Sequence, residues 1–320
     1  MTSGRRLLHA LVLVTLAATA FLVFAGGMVT STGSGLAVPD WPLSNGTLFP
    51  SMVGSVFYEH GHRLIAGSVA LLTALLVVMA WRHEPRPGVR RLAAAALALV
   101  LLQAVLGGLT VLLLLPIAVS VAHAGMANLF FATLAVLACL TSPSRVRAVS
   151  LAPAPRRLRR GWLLLAAVVY GQMLLGALMR HSGAGLAIPD FPLAFGGLVP
   201  PLGNWPVVIH FSHRLGAVLV LAVSIPLLAA SMRASQRCAS LPVPTATLAL
   251  LLPLQVTLGA LTIWTAKAPV LTSLHVLGGT LTLGVAVWGA MAAIRGLQTS
   301  ATGTAEDLRR PPALPTGSHA

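Results

Sequence analysis

Charged residues are scarce in this sequence: they make up 8% of its 320 residues, where a soluble domain carries about 25%. Hydrophobic residues make up 57%, and the mean hydropathy is +0.89. This composition excludes an ordinary soluble domain and is typical of a protein that crosses a membrane several times. Cysteine is also nearly absent. Cys139 and Cys238 are both expected near cytoplasmic helix ends, where we predict neither a structural disulfide nor a metal site.

Acidic residues are few, six against 21 basic ones, which gives a net charge of +15. A strong positive charge can indicate nucleic-acid binding. Here, however, the arginines lie in short connections between apolar runs, as the positive-inside rule expects. No aromatic basic patch accompanies them. We therefore expect membrane lipid around the chain and no nucleic-acid partner.

Eight apolar runs are long enough to cross about 30 Å of hydrocarbon as helices. They are approximately 9–29, 59–81, 91–114, 117–140, 162–179, 208–231, 245–265 and 270–294. The sequence therefore predicts an all-α membrane protein with eight transmembrane helices. Arginines cluster at the N-terminus, in alternate connections and in the tail, so we predict that both termini are cytoplasmic. We expect a cell-membrane protein whose long loops, 30–58 and 180–207, face outward.

The chain contains an internal repeat. The segment 34–43 (SGLAVPDWPL) matches the segment 184–193 (AGLAIPDFPL), 150 positions later, and a His-Arg pair recurs 151 positions later. Four spans per half give both halves the same orientation, so we predict a parallel repeat of two pseudo-symmetric four-helix bundles. The predicted division is an N-terminal half at 1–141, an Arg- and Pro-rich linker at 142–161, a C-terminal half at 162–297 and a disordered tail at 298–320.

Four histidines lie just inside spans and at matched depths. His62 and His123 belong to the second and fourth spans, and His213 and His275 repeat this in the other half. Two imidazoles at one depth on two parallel helices can ligate the iron of one heme axially. A hydrogen-bonded core histidine is the ordinary alternative, but the recurrence of the pair favours heme. Zinc is less favoured, because it needs further ligands that these positions lack.

An acid distinguishes the two halves. Glu59 lies three residues before His62, on the same helix face, and the matching residue before His213 is His210. A partly desolvated carboxyl can exchange protons near neutral pH, although an interfacial Glu facing water remains an alternative. Arg63 and Arg214 follow their histidines. They could pair with heme propionates or extend to lipid phosphate.

Several other polar residues are expected to have structural roles. Asp40 and Asp190 lie in Pro-Asp-aromatic-Pro turns, where Asp bonds nearby backbone N–H groups. Gln103 and Gln255 lie inside apolar helices and are predicted to form interhelical hydrogen bonds. His60 points about 100° away from Glu59 around the helix, and we predict that it lies on the surface.

Taken together, these residues resemble the heme A synthase family over about residues 10–295. The resemblance rests on Glu59-x-x-His62-Arg63, Gln103-x-x-Leu106-Gly107-Gly108-Leu109-Thr110 and His123. In the second half it rests on His213-Arg214, Gln255-x-x-Leu258-Gly259-Ala260-Leu261-Thr262 and His275. The combination of these motifs is specific to the family, whereas any single motif would be weak evidence for it.

The resemblance implies an enzyme of heme A biosynthesis and cytochrome oxidase assembly. It implies that His213 and His275 hold a heme b cofactor, beside which Arg214 is the candidate propionate partner. It also implies that His62 and His123 hold the substrate heme O, with Arg63 as the candidate propionate partner, and that Glu59 is catalytic. The implied reaction oxidises the C8 methyl of heme O to a formyl by successive hydroxylations with water as the oxygen source. An electron acceptor is needed, and its identity is unknown. The heme O-producing farnesyltransferase and a second copy of this chain are candidate partners.

One departure from the family pattern concerns the first outer loop. Many members carry a cysteine pair where this chain has Val38 and Ser44, so no loop disulfide can form here. Two other functions stay open on the sequence. A diheme electron-transfer protein would also need four histidines, but it would have no need of an acid at one heme only. A parallel-repeat transporter would need polar residues near mid-membrane, whereas here they cluster near the outer surface.

Overall fold

In the residues that the structure describes, the fold consists of eight long helices. The computed structural model describes residues 2–142, 154–235, 238 and 240–307, with side chains as far as Ile294. The helices are α1 (Ser3–Ser31), α2 (Ser55–His83), α3 (Pro87–Leu112), α4 (Ile117–Thr141), α5 (Arg156–His181), α6 (Trp205–Ser235), α7 (Pro242–Trp264) and α8 (Pro269–Asp307). All eight, α8 through Ile294, are long and apolar enough to cross a membrane. The predicted all-α membrane fold with eight spans is confirmed.

The sequence explains where these helices begin and end. In lipid every backbone N–H and C=O must be satisfied within the segment, which an apolar run achieves only as a helix. Proline occupies the first turn of α3 and α7, where its missing N–H costs nothing. Helices α1 and α5 each end two residues before a glycine in the left-handed conformation, Gly33 (φ 69°) and Gly183 (φ 74°). These two endings are 150 residues apart.

The helices pack as two groups of four. Helices α1 to α4 contact one another around one apolar core, and α5 to α8 do so around another. The groups meet along a seam in which α1 packs on α8, α4 packs on α5 and α4 packs on α8. At the centre of the seam Thr280 donates a hydrogen bond to Asn128 Oδ1 at 2.8 Å. These residues are equivalent in the repeat, so the contact is consistent with a local pseudo-twofold axis.

Two long loops, 32–54 and 182–204, lie on one side of the molecule, called here the loop side. Each contains a short turn, closed by Ser44 with Thr47 in the first loop and by Ala194 with Gly197 in the second. Asp40 accepts hydrogen bonds from the N–H groups of Asn45 and Gly46. The bond from Gly46 is the main cause that holds the pKa of Asp40 below its usual value. Asp190 does the same in the second loop, chiefly through Gly196. The predicted turn role of both aspartates is confirmed.

The ends of two helices differ from the sequence-based limits. Helix α5 begins at Arg156, inside the predicted linker, and residues 143–153 of that linker lie outside the described residues. Helix α8 continues to Asp307, into the segment predicted to form a disordered tail. Residues 308–320 of that tail lie outside the described residues.

Candidate functional site

The four histidines lie near the loop-side ends of their helices. His62 comes seven residues after the start of α2 and His123 six after the start of α4. His213 comes eight residues into α6 and His275 six into α8. At about 1.5 Å per residue, all four lie roughly 10 Å below the helix ends. The matched depth predicted from the sequence is therefore present in the structure.

In the second half the two imidazoles lie close together, with their ring planes nearly perpendicular. The ring centroids of His213 and His275 are 6.5 Å apart, and the ring planes are inclined by 77°. Two imidazoles that ligate one metal ion at about 2 Å from opposite sides have centroids roughly 6 Å apart. The pair thus has the spacing that axial ligation of one iron requires. Buried imidazole Nδ1 atoms without a hydrogen-bond partner also occur, at His62, His123 and His275.

A helical glycine stands against each histidine ring. A Cβ at Gly26 would lie 2.9 Å from His62 Cε1, and one at Gly107 would lie 3.1 Å from His123 Cε1. The other half repeats this, with Gly176 against His213 at 2.9 Å and Gly259 against His275 at 3.1 Å. A larger residue at any of these four positions would have to displace the histidine ring. The four glycines therefore leave the space that the rings occupy.

Glutamine side chains bond to the backbone of three of the four histidines. Gln103 donates to His123 O at 2.9 Å, and Gln255 donates to His275 O at 2.8 Å, which confirms the predicted interhelical bonds. Gln172 on α5 donates to His213 O at 2.7 Å and lies 3.1 Å from His213 Nδ1. Sequence reasoning did not single out Gln172, although a glutamine in an apolar helix was a usable signal. Its matching residue in the first half is Leu22.

The acid that distinguishes the halves is buried beneath the first loop. Glu59 is 4% exposed. Its Oε2 accepts the Val38 N–H at 2.9 Å and its Oε1 accepts Arg63 Nη2 at 2.6 Å. In the second half His210 Nδ1 accepts the Ile188 N–H at 3.2 Å. Glu59 and His210 thus hold equivalent loop residues in equivalent ways, and only the first carries a carboxylate. An interfacial Glu facing water is excluded.

The two arginines that follow His62 and His213 bind the loops. Arg63 donates to the carbonyls of Asp40 and Leu43 at 2.7 Å and of Val38 at 3.1 Å. Arg214 donates in the same way to carbonyl groups of its own loop, at residues 188, 190 and 193. Their terminal nitrogens are therefore already engaged. Propionate binding by these two residues stays a prediction that would require these bonds to rearrange.

The prediction that His60 lies on the surface is wrong. His60 is 6% exposed, and its Nδ1 lies 2.8 Å from Ser44 Oγ. The loop folds back over α2 and covers a side chain that helix geometry alone places outside. Trp41 of the same loop packs on α3, where a Cβ at Gly108 would meet its indole at 2.6 Å. The first loop therefore covers both Glu59 and the helix turn beside His123.

The donor set suits heme better than zinc. Among the described residues no group of three or more His, Cys, Asp or Glu side chains is placed to hold a metal ion. Two imidazoles per half leave a metal ion two ligands short of a tetrahedral zinc site, but they complete the axial pair of a heme iron. The residues present thus fit one heme in each half.

The comparisons with known proteins agree with this arrangement. The family model COX15-CtaA, described as cytochrome oxidase assembly protein, matches residues 52–287. The chain belongs to this family. The matched COX15-CtaA region contains Glu59 and all four histidines. Family membership confirms the resemblance inferred from the motifs, and with the eight spans it makes the chain a multi-pass membrane protein of cytochrome oxidase assembly.

Curated relatives in this COX15-CtaA family carry the name heme A synthase. The protein of Symbiobacterium thermophilum is 35% identical over 243 residues, which cover 72% of this chain and 78% of the relative. That of Shouchella clausii is 29% identical over 203 residues, covering 62% and 67%. That of Bacillus cereus (strain AH187) is 30% identical over 227 residues, covering 68% and 71%.

Proposed function

We propose that the protein is a heme A synthase. It oxidises the C8 methyl of heme O to a formyl group, holding heme O in the N-terminal half and heme b in the C-terminal half. The single observation that carries this division is the pair Glu59 and His210. They occupy equivalent positions and bond equivalent loop residues, yet only Glu59 provides a carboxylate. A redox cofactor needs two axial ligands, whereas a heme that reacts at its edge also needs a group that handles charge.

The substrate site is built from His62, His123 and Glu59. The two imidazoles hold heme O by its iron and fix its plane beneath the first loop. Glu59 lies one helical turn nearer the loop side than His62, under a loop that covers it. Because Glu59 is bonded to Val38 and Arg63, its carboxylate is held in one place before substrate arrives. Such preorganisation is what stabilises charge developing in a transition state.

The reaction balances with water as the only source of oxygen. The methyl group and one water give a hydroxymethyl group, two protons and two electrons. The hydroxymethyl group and a second water give a gem-diol, again with two protons and two electrons. Loss of water from the diol leaves the formyl group. Glu59 either accepts protons released at the carbon or stabilises positive charge there while water attacks.

The second half serves electron transfer. Heme b, when bound by His213 and His275, supplies a one-electron redox centre between substrate and acceptor. The 6.5 Å distance between the centroids of these two imidazoles supports this assignment. Gln172 bonds to His213 and fixes that ring from α5. The electron acceptor is a further component, unidentified, on which the net four-electron oxidation depends.

The test compares two matched variants in one host that makes heme O. Glu59→Gln removes the charge with almost no change in volume, so the fold and heme b should be retained. The rate of heme A formation should fall by a factor of about 10² to 10⁴, and heme O or its hydroxylated form should accumulate. His210→Gln should reduce heme A much less. Extracted hemes are separated and quantified by mass.

Two outcomes would contradict the proposal. Wild-type heme A in Glu59→Gln would remove Glu59 from the mechanism and favour a diheme electron-transfer protein instead. A larger loss in His210→Gln than in Glu59→Gln would mean that substrate and cofactor occupy the opposite halves.

A further inference from the structure

Arg180 is a cation at the seam between the two halves. It lies in the last turn of α5, on the loop side. Its Nη2 donates at 2.7 Å both to Gly27 O and to Ser31 Oγ of α1, in the other half. Its Nη1 is buried and has no hydrogen-bond partner within the described residues. The matching residue of the first half is Thr30, so the repeat does not require this charge.

No carboxylate among the side chains that the structure describes, which extend to Ile294, neutralises Arg180. Asp40 and Asp190 are bound to their own turns, Glu59 pairs with Arg63, and Glu84 pairs with Arg86 and Arg5. The partners of Arg180 are a carbonyl and a hydroxyl, both neutral. A charge inside a membrane protein is costly unless something anionic pairs with it. Because Nη2 of Arg180 is bonded and Nη1 is not, Nη1 can donate hydrogen bonds to a carboxylate.

The surroundings of Arg180 connect it to the second histidine pair. Ser31 Oγ, which accepts from Arg180, lies 3.3 Å from Ser273 Oγ on α8. Ser273 is fully buried and precedes His275 by two residues. This cluster of α5, α1 and α8 thus lies beside the loop-side edge of the site formed by His213 and His275.

We propose that Arg180 binds a propionate carboxylate of the heme held by His213 and His275. The inference rests on the proposed function for the presence of that heme, and it assigns to Arg180 the role that motif reading gave to Arg214. Arg214 is a weaker candidate because its terminal nitrogens already bond to three loop carbonyls. Since Arg180 also bonds to α1, heme binding in the second half would fasten the two halves together at the seam.

The test titrates two ligands into protein produced in heme-depleted cells: heme b, and heme b dimethyl ester, which lacks the carboxylates. Wild type should bind the ester at least tenfold more weakly than heme b. Arg180→Gln should lose at least tenfold in heme b affinity and little in ester affinity. Arg180→Lys should recover part of the loss, because it keeps the charge without the planar fork. Lys267→Gln, which removes an exposed cation on the same side, should behave as wild type.

A second readout is the midpoint potential of the bound heme. Removing a positive charge at the edge of the heme favours the ferric form. We therefore expect Arg180→Gln to shift the ferric-to-ferrous equilibrium at least tenfold, which is 59 mV for a one-electron couple. The shift should be absent in Lys267→Gln.

Equal affinities of wild type for heme b and its ester would overturn the inference without any variant. An equal loss of both ligands in Arg180→Gln would also overturn it, because Arg180 would then hold only the helices. Neither result depends on heme A production. If the chain makes no heme A but the ester discrimination is present, the proposed function fails and the propionate site remains.

Discussion

At the scale of single residues, the site depends as much on missing side chains as on ligands. Each histidine ring is packed against a glycine of a neighbouring helix, and the pattern is the same in both halves. Glycine weakens a helix by about 1 kcal/mol relative to alanine. Its presence at these four positions is therefore explained by the rings that it admits. Gly176 on α5, against His213, is the clearest example.

A matched pair of substitutions on α5 tests this packing. Alanine at 176 would place a Cβ 2.9 Å from His213 Cε1, whereas alanine at 171 would meet nothing within 4 Å. Both changes favour the helix equally. We expect Gly176→Ala to lower low-spin heme content at least about twofold, because the ring must move, while Gly171→Ala leaves it unchanged. Absorption spectra of the purified proteins measure the low-spin heme content. Equal spectra for the two variants would contradict the proposal that Gly176 makes room for the His213 ring.

Reading single residues from the sequence succeeded where the repeat constrained them. The histidine pairs and the glutamine bonds follow from offsets of 151 and 152 and from the cost of a polar group in lipid. The partners of Arg63 and the burial of His60 could not be predicted, because both depend on how a loop folds back over α2. Arg180 was visible only as an isolated arginine, since its contacts come from a helix 150 residues away.

At the scale of helices, a buried carboxylate joins three elements at the end opposite the long loops. Glu84 is 1% exposed and follows α2. It pairs with Arg86 through two bonds of 2.6 and 2.8 Å and with Arg5 of α1 at 3.6 Å. Arg86 also donates to Leu140 O of α4 at 2.9 Å. The hydrogen bond from Arg86 is the main cause that lowers the pKa of Glu84.

Glu84→Gln should loosen the first half. The change removes the charge from a buried ion pair, and we expect a loss of about 1–3 kcal/mol, seen as a lower apparent melting temperature in detergent. Because the folded pKa of Glu84 is lowered, the stabilisation is present above the unfolded pKa and is lost as pH falls through the folded pKa, on the acid side of the usual carboxyl range. Wild type should therefore lose stability on acidification more steeply than the variant. Arg91→Gln, an exposed charge on α3, serves as the control, and an unchanged melting temperature in Glu84→Gln would refute this role.

The hydrogen bonds from Arg214 to the second long loop lead to a separate prediction. If Arg214 holds the second loop, Arg214→Gln should increase amide hydrogen exchange at 188–193, because three carbonyls lose their donor. The first loop of the same variant is the internal control. Unchanged exchange together with lost heme would instead support the propionate role predicted for Arg214 from the sequence.

At the scale of the whole molecule, the fold was predictable because lipid leaves few choices. Eight apolar runs can only be helices, and four per half imply a parallel repeat. Which faces meet at the seam was not predictable, since most residues of α1, α4, α5 and α8 within the spans are apolar and the contact is set by packing. The hydrogen bond between Asn128 and Thr280 joins α4 to α8, and the hydrogen bonds of Arg180 to Gly27 and Ser31 join α5 to α1.

Topology is the prediction at this scale. The arginine distribution predicts that both termini are cytoplasmic, and the eight spans found in the described residues, being even in number, predict that both ends lie on one side. A phosphatase that works only after export, fused after residue 320, should be inactive. The same reporter inserted at Asn45 in the first long loop should be active. The reverse pattern of reporter activity would show that the membrane orientation is opposite to the predicted one.

The central claim is that the two halves hold different hemes. Four purified variants, each lacking a single one of the four histidines, test this claim most directly. The hemes bound to each variant are extracted and identified by mass. His62→Ala and His123→Ala should retain heme b and lose bound heme O and its oxidised products. His213→Ala and His275→Ala should lose heme b. Loss of heme b from the first pair, or its full retention in the second, would contradict the assignment of substrate and cofactor.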